Sequence, residues 1–124
     1  IKVNLEKFNL KGEIIRSDMF NSVKGEFDLI ISNPPYIKRD EYKNLPIDVK
    51  IEPSEALIGG EDGLFYIKIL ISEGPNFLKE NGLLVIEIEK DELEEIKNFL
   101  DYLKIREIIK TSSDNIIGVV LEKL

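Results

Sequence analysis

The sequence predicts an α/β fold with a mostly parallel sheet that ends in an antiparallel hairpin, and three observations carry that prediction. Phe27-Asp28-Leu29-Ile30-Ile31-Ser32 is a short apolar run that stops abruptly at Asn33-Pro34-Pro35-Tyr36. Leu83–Ile88 is a second such run, separated from the first by a polar stretch and a helical pattern. Runs this apolar suit strands covered on both faces, with the first as a central strand. At the end of the chain, Arg106–Thr111 and Ile116–Glu122 are joined only by Ser112-Ser113-Asp114-Asn115, too short a link for a parallel crossover, so the two pair as a hairpin.

Taken in order, Ile1, Leu5 and Phe8 have helical spacing and read as the end of a helix, followed by a turn at Asn9–Gly12. Glu13–Ser17 reads as a strand with Asp18-Met19-Phe20 at its carboxyl end, and Asn21–Glu26 connects it to Phe27–Ser32. Ile37–Asp62 is long, polar and without clear period; it reads as a substrate-facing loop with one helical turn, closed by the Gly59–Gly63 cluster. A helix capped by Asp62 starts at Leu64, bends at Pro75 and runs towards Lys79, where Asn81-Gly82 stops it. Asp91-Glu92-Leu93-Glu94 reads as a capping box opening a helix that buries Leu93, Ile96, Leu100 and Leu103. The acidic residues of Glu87–Glu95 are then helix-start charge and solvated surface rather than a metal site.

Composition narrows the chemistry. A chain of 124 residues builds one domain with a sizeable core, and a net charge of −7 opposes non-specific adhesion to nucleic acid or anionic membrane. Cysteine and histidine are both absent, which excludes disulfides, thiolate metal sites and catalysis by thiol or imidazole. No apolar run approaches the roughly 20 residues that span a bilayer, and the first ten residues are not a signal peptide, so a reducing, cytoplasmic setting is expected. A chain opening on Ile1 in mid-helix is expected to be a fragment.

The Asn33–Tyr36 tetrapeptide has a specific chemical use. Each proline fixes its own φ, removes an N–H donor and holds the preceding residue out of the helical region. What is left is a stiff array of acceptors, the Asn33 side-chain oxygen and the Pro34 carbonyl, with the Tyr36 ring nearby. Two acceptors match the two hydrogens of a planar amino group, and an aromatic face covers its π-system. When such a nitrogen attacks an electrophilic methyl group it becomes positive, and acceptors already aimed at its hydrogens stabilise that charge. Methylation of a conjugated amino group is the implied reaction; a plain strand-terminating turn is the alternative use of the same residues.

The segments Ser17–Phe20 (SDMF), Phe27–Ile37 (FDLIISNPPYI), Ile51–Leu57 (IEPSEAL), Gly59–Gly63 (GGEDG) and Gly82–Ile88 (GLLVIEI) together resemble the HemK/PrmC family of glutamine methyltransferases. These enzymes modify the glutamine side-chain amide in the GGQ motif of peptide-chain release factors. The resemblance covers essentially the whole chain. NPPY is shared with enzymes that methylate adenine amino groups, whereas its combination with the EPxxAL and GGxDG segments is specific to the glutamine enzymes.

The resemblance implies a partial Rossmann-like, S-adenosyl-L-methionine-dependent methyltransferase fold, with residues 1–124 as the C-terminal portion of the catalytic domain. It implies that Asn33, Pro34 and Tyr36 are catalytic, that Asn33, Pro34, Pro35, Tyr36 and Glu52 bind substrate, and that Asp18, Met19 and Asn33 bind cofactor, with no metal. The family's glycine-rich cofactor loop and the acid ending its second strand would lie upstream of Ile1. Two strands of the resembled sheet would separate Glu13–Ser17 from Phe27–Ser32, so one edge of the central strand is expected to be bare and open to dimerisation. Glu89-Lys90 replaces the family's usual Gly and Gln, and Gly118 replaces an Arg, so the final hairpin is expected to be altered. A release factor is the implied partner, with no direct nucleic-acid or membrane contact. The readings set against it are an adenine amino methyltransferase acting on DNA or RNA, and a non-catalytic fragment or binding module.

Overall fold

The computed structural model describes residues 1–124. Helix α1 (Lys2–Lys7) opens the chain with no buried residue and ends at Asn9, whose φ of 50° turns the backbone. Strand β1 (Phe27–Ser32) follows, then three short 3-10 turns at Glu41–Asn44, Val49–Ile51 and Ser54–Ala56 where the sequence predicts one. Helix α2 (Phe65–Glu73) leads to β2 (Leu78–Ile86), α3 (Lys90–Ile96), β3 (Leu103–Lys110) and β4 (Ile116–Lys123).

The sheet order is β1-β2-β4-β3: β1 and β2 run parallel, and β4 is antiparallel to both of its neighbours. The closing hairpin is the one the sequence predicts, but only one of the three pairings is parallel, so the sheet of this chain is mixed rather than mostly parallel. The hairpin carries two irregularities, an extra residue on β3 at Arg106 and one on β4 at Ile117. Gly118, beside the second, is buried, and a Cβ there would stand 3.0 Å from the Ile86 carbonyl oxygen.

Glu13–Ser17 is not a strand. It is irregular and largely exposed, because a strand needs a hydrogen-bonding neighbour and none of this chain's strands lies beside it. For the same reason β1 is an edge strand rather than a central one. Nor is it covered on both faces. Ile30, opposite Leu84, points to the face packed by α2 and α3, while Leu29 and Ile31, opposite Leu83 and Val85, point to the other. There Ile31 is 70% exposed. The core lies entirely on the covered face: Ile67, Leu70 and Ile71 of α2 and Leu93 and Ile96 of α3 close over Leu84, Ile86, Val119 and Leu121.

Two helix boundaries differ from the sequence reading. The α2 pattern stops at Glu73; Gly74–Phe77 tightens into a 3-10 turn around Pro75, and Leu78 is already in β2. The Asn81-Gly82 turn is present, but inside the span of β2, where the register jumps between the Phe27/Leu78 and Leu29/Leu83 pairs. The capping box of α3 is formed by Glu89 and Glu92, two residues ahead of the expected start, with the Glu89 N–H donating to Glu92 Oε2 at 3.0 Å. Leu103, buried as expected, belongs to β3 instead of α3.

Candidate active site

The site is built at the carboxyl end of β1. Ser32 is the last paired residue of the strand, and its carbonyl accepts the Glu87 N–H at 3.0 Å, which ties the end of β1 to the end of β2. Beyond it the two prolines supply no donors, so the chain leaves the sheet without continuing the ladder. Pro34 is buried, yet no N–H of the chain reaches its carbonyl. Asn33 is exposed, and its carboxamide takes no hydrogen-bond partner from the chain. Both acceptors singled out by the sequence are therefore free.

Asn33 does not face open solvent alone. It borders a cavity of about 210 Å³ whose wall includes Ile31, Ser32, Glu87, Ile117 and Gly118. Tyr36, half-buried, stands in a second, larger cleft of about 720 Å³ with Glu87, Glu89, Lys110, Asn115 and Ile117. Glu87 and Ile117 line both. The extra residue at Ile117 thus places a side chain between the two spaces, as bulges at the rims of sites commonly do. Burial pushes the Tyr36 phenol above its ordinary value of 10.0, and the nearby Glu89, Glu87 and Glu92 carboxylates push it further. Tyr36 is accordingly a neutral phenol throughout the physiological range.

What holds the tetrapeptide rigid was not legible as such in the sequence: it is the Gly59–Gly63 cluster. Ile37 N–H donates to the Leu57 carbonyl at 3.0 Å and Gly59 N–H returns to the Ile37 carbonyl at 2.9 Å, a short parallel bridge between Ile37 and Ile58. Gly59 lies against the loop so closely that a Cβ would stand 2.5 Å from the Pro35 oxygen and 2.8 Å from Tyr36 Cα. At Gly63, with φ +76°, a Cβ would collide with the Tyr36 carbonyl oxygen. Asp62 completes the clamp: its carboxylate accepts the Leu64 N–H at 3.0 Å and the Lys68 ammonium at 2.6 Å, so it holds the N-cap residue Leu64 and the first turns of α2 instead of being the N-cap itself, and it is held below its ordinary pKa, chiefly by Lys68. The only available signal was the pairing of glycines around an acid before a helix, which reads equally well as a flexible turn.

The remaining predicted residues lie apart from this tip. Asp18 is exposed, and its carboxylate has no partner; Met19 has a φ of 46° and packs partly against the core. Neither lines the two cavities bordered by Asn33 and Tyr36. Glu52 ends the second 3-10 turn, exposed, and is likewise absent from both walls.

With this geometry in view, the comparisons with known proteins are informative. The family described as "Methyltransferase small domain" matches residues 1–51. A crystal structure of a methyltransferase from Pyrococcus furiosus superposes with a TM-score of 0.63 at 22% identity, covering 98% of this chain and 54% of that one. The fold is that of a Rossmann-like methyltransferase. Among curated relatives, a release factor glutamine methyltransferase of Clostridium acetobutylicum is 42% identical over 106 residues, 81% of this chain and 37% of the relative. A ribosomal protein uL3 glutamine methyltransferase of Francisella tularensis is 39% identical over 88 residues, 68% of this chain and 28% of the relative. Over most of its length the chain is similar to glutamine methyltransferases of the HemK/PrmC type, and it spans well under half the length of these curated relatives.

Proposed function

We propose that this chain is the C-terminal portion of the catalytic domain of a cytoplasmic enzyme that methylates the glutamine side-chain amide in the GGQ motif of peptide-chain release factors. The observation that carries the reading is the free acceptor pair at the tip of β1, the unpartnered Asn33 carboxamide beside the unpartnered Pro34 carbonyl, on a loop made stiff by two glycines. It is supported by relatives named for that reaction. Asn33 and Pro34 accept the two amide hydrogens, while Pro35 and Tyr36 form the wall against which the amide lies. The neutral Tyr36 phenol adds no negative charge to the pocket.

The cofactor in this reading is S-adenosyl-L-methionine, which when bound supplies a methyl group on a sulfonium sulfur that keeps the electron pair of the broken carbon–sulfur bond. Asp18 offers an unpartnered carboxylate and Met19 an apolar surface, a donor set suited to the adenosine end of that molecule, with Asn33 beside its reactive end. The glutamine nitrogen forms the new bond to carbon and becomes positive; Asn33 Oδ1 and the Pro34 oxygen bind its hydrogens more tightly as it does, and one proton then leaves to solvent. No side chain need act as a strong base before attack, so positioning supplies much of the barrier reduction. Glu52, exposed on the long loop, meets the substrate from outside the pocket.

A second substrate, the glutamine of ribosomal protein uL3, is supported by the relatives that bear that name. Incubating the full-length protein with labelled cofactor and, separately, release factor, uL3 and nucleic acid tests the reading. Label is expected in the release factor glutamine; label in nucleic acid alone would overturn it. Residues 1–124 by themselves are expected to bind the cofactor weakly, and calorimetric titration showing micromolar affinity would contradict that.

A further inference from the structure

The larger cleft beside Tyr36 is not needed to hold an amide, and its wall is chemically distinctive. On one side stand Glu87 and Glu89, at the end of β2 and the start of α3; on the other is the hairpin turn between β3 and β4. Lys110 in that wall is already neutralised by Asp114 at 2.8 Å, within the turn itself. Glu87 and Glu89 have no ion-pair partner in the chain, and Glu89 instead shares the capping box of α3. Lys90 is the one further cation in the wall. The cleft thus keeps an excess of unpaired carboxylate directly beside the half-buried Tyr36. Burial raises the Tyr36 phenol and the same carboxylates add to it, as their position beside the tetrapeptide end of the cleft requires.

The cleft also has the right extent. At about 720 Å³ it is several times the size of the space beside Asn33, and the two share Glu87 and Ile117 as a common border. A polypeptide whose modified side chain enters beside Asn33 therefore carries its neighbouring residues over Glu87 into the cleft.

We propose that this cleft receives the polypeptide flank of the modified glutamine and that Glu89, with Glu87, selects substrates carrying Lys or Arg within a few residues of it. The inference rests on the glutamine methylation proposed above. An acidic or neutral flank leaves the two carboxylates without a counter-charge, whereas a cationic one pairs with them at a partly enclosed surface, where such pairing favours one partner over another.

The test uses the full-length protein and three synthetic glutamine peptides that differ only in having Arg, Ala or Glu beside the glutamine. The Arg peptide is expected to exceed the Ala peptide in kcat/KM by about three- to five-fold per engaged carboxylate, mainly through KM, and the advantage to shrink as salt rises. Glu89→Gln, which keeps a cap for α3, should lower the Arg-to-Ala ratio, and Glu89→Lys should move the preference towards the Glu peptide. Equal kcat/KM for all three peptides at low salt, or a ratio unmoved by both variants, would overturn the proposal and leave glutamine methylation standing. Failure to methylate any peptide, together with failure on intact release factor and uL3, would instead remove the reading beneath it.

Discussion

The carboxyl tip and the open flank of β1 have been finished to very different degrees. At its carboxyl tip, the chain's own Gly59–Gly63 segment fixes the backbone of Pro35–Ile37 to within the width of a missing methyl group. Along its flank and on its uncovered face, Leu29 and Ile31 stay largely exposed, and Glu13–Ser17 finds no strand to pair with. The lesson is that a strand tip can be clamped by contacts made downstream in the chain, while the sheet that carries it still lacks a neighbour. Local clamping and sheet completion are separable.

The largest effect is expected from removing the acceptor without touching the clamp. Asn33→Ala in the full-length protein should lower methyl transfer by at least about 10²- to 10³-fold, with a circular dichroism spectrum and melting temperature like the parent's. Near-normal turnover would detach the tip from the chemistry.

Next comes the clamp itself. Gly63→Val needs a β-branched residue at positive φ and a Cβ inside the Tyr36 carbonyl, and should destabilise the chain by about 3 kcal/mol or more in urea unfolding. A loss below about 1 kcal/mol would show that the loop can move away. A smaller loss, about 1 kcal/mol, is expected for Asp62→Ala, which removes the acceptor for the Leu64 N–H.

The open side is tested by Ile31→Lys. Stability should change by no more than about 0.5 kcal/mol, because the side chain is 70% exposed, while self-association of residues 1–124 in sedimentation velocity should fall. An unchanged sedimentation profile in a self-associating chain would place the contact elsewhere. Last, pH separates the regions with the smallest shift. The Tyr36 phenol keeps its proton more tightly folded than unfolded, so its contribution is fully present below pH 10.0 and is lost as pH rises through the folded value. Spectrophotometric titration should show one of the four tyrosines ionising late, and Tyr36→Phe should remove that late step. Asp62, held low by Lys68, acts in the opposite direction, with stability present above its unfolded value of 3.8 and lost as pH falls through the folded one.

How legible this was in the sequence follows the same division. The apolar runs Phe27–Ser32 and Leu83–Ile88 and the short Ser112–Asn115 link marked three of the sheet's parts, because burial and turn chemistry are local signals. The strand reading of Glu13–Ser17 failed because pairing is not local: an apolar, β-branched segment forms a strand only where a partner stands. The end of α2 was misjudged because Pro75 can either bend a helix or begin a 3-10 turn, and the pairing of Leu78 with Phe27 of β1 decided it. At the candidate site, Asn33, Pro34 and Tyr36 were singled out by donor and acceptor counting. Glu87, Glu89 and Ile117 were not, since they meet Tyr36 only through the folding of β2 onto β4.

The bridge between Ile37 and Ile58 has one more consequence. Because it closes the intervening stretch at its base, residues 38 to 57 form a cassette whose length can vary at a closure cost of about 0.6 kcal/mol per doubling. Evolution can therefore rewrite the outer arc to greet a new macromolecule while the Asn33–Tyr36 tip beneath stays as it is, and a designer could exchange the same arc between homologues.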